Sequence, residues 1–262
     1  FFTYQNQLSC IVVFITNLMR YFIQLTYLGK NYCGWQRQEN AISVQQILEE
    51  NVSKLLHKPI AITGCGRTDA GVHAQDYYAH FDIDNAFPSS DDFLYRINSM
   101  LPIDIAVQQV FKVRDTLHAR FDAQWRTYKY FIHFKKNPFV EEQSFCWNKS
   151  IDIEIMNHCI QQLIGAHDFS TFEKKGSDNK TSICVLKEAY WQIHENGIVF
   201  TITANRFLRN MVRRITAALL MVGTGKMDEQ YLIQAVLQKQ NLDVRLAVPA
   251  KGLFLWKIEY DF

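Results

Sequence analysis

Apolar and polar positions along the chain repeat with a period of two in some stretches and near 3.6 in others, and the switches divide it into strands and helices. Residues 20–28 (RYFIQLTYL), rich in aromatic and β-branched side chains, predict a strand. Gly29, Asn31 and Gly34 mark a loop carrying Trp35, Gln36, Arg37 and Gln38. Ser43, with Gln46 three residues on, forms a capping-box pattern, and Val44, Ile47, Leu48, Leu55 and Leu56 then keep helical spacing up to Pro59. A second strand is expected from 60–63, a third over 77–83, a helix over 91–100 and a fourth strand over 103–113. That succession, β-α-β-β-α-β, is the split unit of ferredoxin-like folds.

The second half repeats the theme less cleanly. Residues 127–134 (TYKYFIHF) predict a strand, and 153–163 a helix closed by Gly165. Residues 183–194 and 198–203 predict a hairpin around Asn196-Gly197, the strongest short turn signal in the chain. A long helix is expected from Arg206 to about Val222, and a short one near 228–237. In the C-terminal run LFLWKIEY, alternation sets Phe254, Trp256, Ile258 and Tyr260 on one face. Strands and helices intersperse without strict βαβα order, so the fold class is α+β with a largely antiparallel sheet.

Composition adds mainly exclusions. With 48% hydrophobic residues the chain can bury a proper core. Its net charge of +2 excludes a polybasic protein, so an anionic partner must be held by a local patch. The six cysteines form no CxxC pair and no HExxH motif is present, which argues against zinc or a disulfide framework and for a reducing cytosol. The apolar run at 11–15 is too short to cross a bilayer and follows no basic segment. Residues 1–18 therefore read as an upstream extension outside the fold, with Met19 as the natural start; an extra strand or helix packed on the body is the alternative.

Three segments carry candidate chemistry. In Gly64–His73 (GCGRTDAGVH), glycines flank Arg67 and Asp69, as in a tight loop where backbone meets a ligand closely. The spacing fits no dinucleotide fingerprint, and a lone Asp followed by Ala70 fits no aspartic protease. An ionised Asp69 held there can act as a nucleophile; a structural turn whose Asp caps a helix explains the same residues equally well. In 206–214, four Arg and no Lys stand beside an apolar band. On helical spacing Arg206, Arg209, Asn210 and Arg213 fall opposite Phe207, Leu208, Met211, Val212 and Ile215, a stripe suited either to phosphate and carboxylate or simply to solvent. In 118–130, Arg120, Arg126 and Lys129 interleave with Phe121, Trp125, Tyr128 and Tyr130, which suits RNA and also suits an ordinary strand face. The histidines, His73 included, read as satisfied structural groups.

Six motifs in this order, GWQRQ at 34–38, GRTDAGVHA at 66–74, HARF at 118–121, Arg-x-Tyr-x-Tyr at 126–130, GAHDFSTF at 165–172 and FLRNMVR at 207–213, closely resemble the bacterial tRNA pseudouridine synthase A (TruA) family. The resemblance runs from Met19 to Tyr260. It implies an isomerase converting uridine to pseudouridine at positions 38, 39 and 40 in the anticodon arm of tRNAs. It also implies two ferredoxin-like halves, 19–113 with the catalytic loop and 114–262, around a basic cleft. A cytoplasmic homodimer without cofactor, metal or membrane contact completes the picture. By the same resemblance Asp69 falls on the catalytic aspartate and Tyr128 on the tyrosine that packs against the target base. Arg213 falls on the arginine paired with the aspartate, and Arg67 on the loop arginine associated with base flipping. Arg206, Arg209, Arg120 and Arg126 are candidate tRNA contacts. Leu28 departs from a usual Asp and Lys180 from a common Arg; neither touches the catalytic set. A non-catalytic tRNA-binding protein on the same fold is the alternative, against which the intact Asp69, Tyr128 and Arg213 set speaks.

Overall fold

The computed structural model describes residues 18–84, 86, 89–174, 176, 180–195, 197–240, 242 and 247–262. The expected extension at 1–18 falls almost wholly outside the described residues, as does Asn196 of the expected turn. In chain order the elements are β1 (Met19–Tyr27), α1 (Val44–Leu56), β2 (Thr63–Gly64), β3 (His73–Ile83), α2 (Ser90–Met100) and β4 (Ile105–Val113). There follow β5 (Trp125–His133), β6 (Phe145–Cys146), α3 (Ile153–Gln161), β7 (Gly165–Asp168), β8 (Ile183–His194), β9 (Gly197–Ala204), α4 (Met211–Gly223), α5 (Glu229–Leu237) and β10 (Leu253–Glu259).

The fold is α+β. Its strands form one mixed, mostly antiparallel sheet in the order β4-β1-β3-β10-β5-β9-β8-β7, with β2 on β3 and β6 on β5. Within it β4-β1-β3-β2 and β10-β5-β9-β8 follow the same sequence of the split unit, so the second half carries the pattern its sequence showed only loosely. The two runs join where β10 lies parallel to β3, through the register pairs Phe254↔His73 and Leu255↔Ala74. One buried cluster packs under α1 and α2 and includes Ile23, Leu25, Val52, Phe81 and Ile97. The other packs with α3, α4 and α5 and includes Ile160, Phe169, Phe200, Ile215 and Leu219. Removing each such side chain from water contributes roughly 1.5–3 kcal/mol.

Helix starts follow the expected chemistry: Ser43, Ser89, Asp152 and Asp228 each accept an amide from the first turn of their helix. The capping box is only half formed, because the Gln46 amide bonds Glu50 instead of reaching back. α1 stops at His57, in the left-handed region at φ 54, two residues before Pro59.

Three expectations are corrected. The second strand shrinks to Thr63–Gly64, because α1 side chains take the backbone groups that a ladder would use. Ser53 accepts the Ile60 amide, Glu49 the Ile62 amide, and Gln45 donates to the Ile62 carbonyl. Gly165, at φ 109, opens β7 rather than closing α3. In β10 a register shift between Leu255 and Lys257 breaks the single-face alternation. Leu255 and Ile258 join the first cluster, while Phe131 meets Phe254 edge to face and Trp256 at a tilt.

His80 on β3 is buried, and its Nδ1 accepts the Ala119 amide at 3.1 Å. Burial, helped by Arg20 and His118, lowers its pKa from 6.5 to about 4. Below 6.5 the unfolded chain therefore binds the proton first, so stability falls as pH drops from 6.5 towards 4 and levels off beyond. Urea unfolding is expected to show a loss on the order of 2–3 kcal/mol across that window. The loss is expected to be markedly smaller in His80→Gln.

Candidate active site

The segment between β2 and β3 is held from below by the loop after β1. Gly34 sits at φ 97, and a Cβ there would lie 2.2 Å from the Thr68 carbonyl oxygen, so only glycine permits this approach. The same carbonyl accepts the Trp35 amide at 3.4 Å, and the Thr68 hydroxyl bonds the Tyr27 hydroxyl at 2.8 Å. Gly71, at φ 78, donates its amide to Tyr32, and the Val72 amide closes a turn onto the Asp69 carbonyl at 3.1 Å. Trp35 stacks on Tyr77 with ring centres 4.1 Å apart, and the Tyr77 hydroxyl donates to the Gly66 carbonyl. The GWQRQ motif is thus the cradle of the glycine loop.

The loop's far end is fixed by His73. Its Nδ1 accepts the Gly29 amide, so Nε2 carries the proton and donates to the Lys251 carbonyl, each at 3.1 Å. The ring stacks on Phe254, 4.5 Å between centres, and burial lowers its pKa, keeping it neutral. As the sequence indicated, this histidine is a satisfied structural group.

From the other half comes Arg213 on the first turn of α4. Its Nη1 lies 3.7 Å from the Asp69 Oδ2, and both side chains remain partly exposed. Its Nε donates to the Val248 carbonyl at 2.8 Å, and the Val248 amide returns a bond to the Arg213 carbonyl at 3.3 Å. The helix expected from Arg206 starts only at Met211, behind Asn210 at φ 68. Upstream, Asn205 pairs with Val185 through both backbone and side chain, and the chain turns at 209–210, with the Met211 amide on the Leu208 carbonyl, before the helix begins. Arg206 and Arg209 therefore lie in the preceding loop and share no helical face with Arg213; Arg209 is exposed.

Tyr128 on β5 packs against both buried clusters and meets Phe207 edge to face, ring centres 5.1 Å apart. Burial raises its phenol pKa, with Cys65 and Asp69 adding and Arg126 opposing, so it stays protonated. Arg67 is exposed. Arg120 is exposed over the Phe121 ring, 5.7 Å from its centre, and Phe121 itself is 75% exposed. Arg126 differs from these. Its Nη1 donates to the Ala123 and Asn205 carbonyls at 3.0 and 2.7 Å, and its Nη2 to Arg120 and Cys65 at 2.7 and 3.3 Å. The guanidinium faces inward. Cys65 is buried, and its thiol is pushed up to about 12, which leaves it unreactive.

Asp69, Arg213 and Tyr128 are thus brought together, with Arg67 and the 118–121 tip at the surface beside them. Two features escaped sequence reasoning. The 248–252 segment that grips Arg213 and His73 carries no motif, and nothing in the sequence around Arg126 shows that its guanidinium meets four backbone carbonyls. Among the described residues no cluster of three or more His, Cys, Asp or Glu is arranged to hold a metal.

The sequence model of the family described as tRNA pseudouridine synthase matches residues 24–122 and 159–261. A tRNA pseudouridine synthase A of Azobacteroides pseudotrichonymphae is 42% identical over 241 residues, covering 92% of this chain and 96% of that protein. One from Parabacteroides distasonis is 42% identical over 243 residues, covering 93% and 96%. A third, from Thermoanaerobacter pseudethanolicus, is 37% identical over 240 residues, covering 91% and 98%.

Gly34→Ala tests the cradle. The positive φ and the encroachment on Thr68 are each expected to cost roughly 1–3 kcal/mol, read as a lower urea midpoint with an unchanged slope.

Proposed function

The chain belongs to the tRNA pseudouridine synthase family, and on that premise we propose that Asp69, Tyr128 and Arg213 form the active site that isomerises uridine at positions 38, 39 and 40 of the tRNA anticodon arm. The enzyme is an isomerase that converts uridine in tRNA to pseudouridine. The observation that carries the site assignment is the approach of Arg213 to Asp69 at 3.7 Å from opposite halves of the sheet.

The reaction breaks the C1′–N1 glycosidic bond, rotates the uracil and forms C5–C1′. The C5 proton leaves and N1 gains one, so atoms and electrons balance without an oxidant or reductant, in keeping with a reading that includes no cofactor. A base in a stem or loop must first leave the stack, at a cost of a few kcal/mol. Arg67, exposed at the loop tip, is suited to stack in the space the base vacates. Tyr128, a neutral phenol set into the wall, offers its ring to the uracil and its hydroxyl to the base edge. Asp69 supplies the carboxylate, as nucleophile at C1′ or C6 or as base on the ribose, and Arg213, anchored by Val248, aims it.

The exposed Arg120 and Arg209, with Arg206, belong to the tRNA-binding surface in this reading, which includes a basic cleft between halves divided near residue 113, a homodimer and a cytoplasmic setting. No helix among the described residues is long and apolar enough to cross a membrane.

The test is chemical mapping of pseudouridine in unmodified tRNA under single-turnover conditions. Asp69→Asn is expected to bind tRNA and form no product. Arg213→Ala is expected to slow the saturated reaction by about 100-fold with little change in binding. Arg209→Ala is expected to do the reverse, weakening binding and lowering the salt slope by about one. Turnover by purified Asp69→Asn would remove Asp69 from the chemistry.

A further inference from the structure

We propose that Arg126 is a positioning residue of this active site: its guanidinium ties the loop of Asp69, the segment leading to Arg213 and the 120–123 tip to the strand of Tyr128, and it does not bind tRNA phosphate. The inference rests on the assignment of Asp69, Tyr128 and Arg213 made above.

A guanidinium presents its Nη hydrogens in a rigid planar fork. In Arg126 each Nη donates to two carbonyls, so the fork is filled. Cys65 lies four residues before Asp69, within the glycine loop. Arg120 and Ala123 bracket the surface tip that bears Phe121. Asn205 begins the segment that turns through Asn210 into α4 and Arg213. Arg126 itself is two residues from Tyr128 on β5, so both side chains project from the same face of the strand. One side chain therefore ties the loop of Asp69, the approach to Arg213 and the rim of the cleft to the strand of Tyr128.

A phosphate contact through either Nη would require this fork to turn outward. Four carbonyls would then lose their donors together, and the guanidinium would exchange four fixed carbonyls for the oxygens of one phosphate. A lysine cannot replace it, because a single ammonium carries its three hydrogens on one atom and cannot span carbonyls from three segments. Arg120, Arg67 and Arg209 are already exposed and serve phosphate without such a loss.

The test compares Arg126→Lys and Arg126→Ala with the wild-type enzyme on unmodified tRNA, using the single-turnover rate at saturating enzyme, the tRNA affinity across a salt series, and thermal unfolding. Both variants are expected to lose about 100-fold in rate, with affinity and salt slope close to wild type. Millimolar guanidinium is expected to restore part of the rate of Arg126→Ala, and methylammonium at the same ionic strength is not. Retention of the wild-type rate by Arg126→Lys would overturn the proposal. So would a salt slope lowered by about one, the mark of a lost phosphate contact. If Arg126→Ala does not fold, the rate of Arg126→Lys decides alone, because lysine keeps the charge on which the salt slope depends. Asp69→Asn is run alongside: turnover there would sink the underlying site assignment, whereas failure confined to Arg126 leaves that assignment standing.

Discussion

The short parallel contact between β3 and β10 is the constraint on which the rest of the molecule depends. Each half of the sheet repeats one strand order, while Leu255 and Ile258 of β10 pack into the first cluster and Val72 into the second, so the cores interlock at the junction. What makes them one enzyme is that His73 and Ala74 pair with Phe254 and Leu255. His73 reinforces the contact on both ring nitrogens, linking Gly29 in one half to Lys251 in the other. Because Lys251 lies just beyond Val248, the contact that ends the glycine loop also positions the strap holding Arg213. Asp69 and Arg213 meet because of where two strands touch.

Around this junction, polar side chains divide by orientation rather than by type. His73 and Arg126 have their nitrogens committed to backbone, where a neutral ring and a filled fork hold loops that have no ladder of their own. Arg67, Arg120 and Arg209 stand at the surface, where a charge is available to a polyanion. Arg213 does both, fixed through Nε to Val248 while Nη1 faces Asp69. A rigid inner set and a solvated outer set are what a site needs if it must extract a base from a folded RNA and then hold it still.

Much of this was legible in the residues. Aromatic and β-branched residues marked β1, Ser43 with Gln46 marked the start of α1, and GRTDAGVHA marked the loop whose Asp69 lies beside Arg213. The misreadings share a physical cause: a local pattern satisfied by a different partner. Ile60 and Ile62 look like a strand because they are buried, but α1 side chains answer their backbone groups. Phe207 and Leu208 continue the apolar band of α4 because they too face the core, although they lie before the helix, in the loop that Asn205 ties to Val185. A bulge at Trp256 moves Ile258 to the other face without disturbing the composition. The Cys65 and Asn205 carbonyls that Arg126 meets are near it only in three dimensions, so no local pattern announces them. The 248–252 strap acts through backbone carbonyls, which carry no residue signature.

Hydrogen exchange at the two sides of the junction tests its role most directly. The amides of Gly71 and Val72, bonded to Tyr32 and Asp69, report the glycine loop, and the Val248 amide, bonded to Arg213, reports the strap. If the β3–β10 contact joins loop and strap into one cooperative unit, these amides exchange with a common opening free energy close to that of global unfolding. Exchange of the Val248 amide at the rate of an open surface loop, while Gly71 and Val72 stay protected, would contradict it, since Arg213 would then be held independently of the loop that carries Asp69.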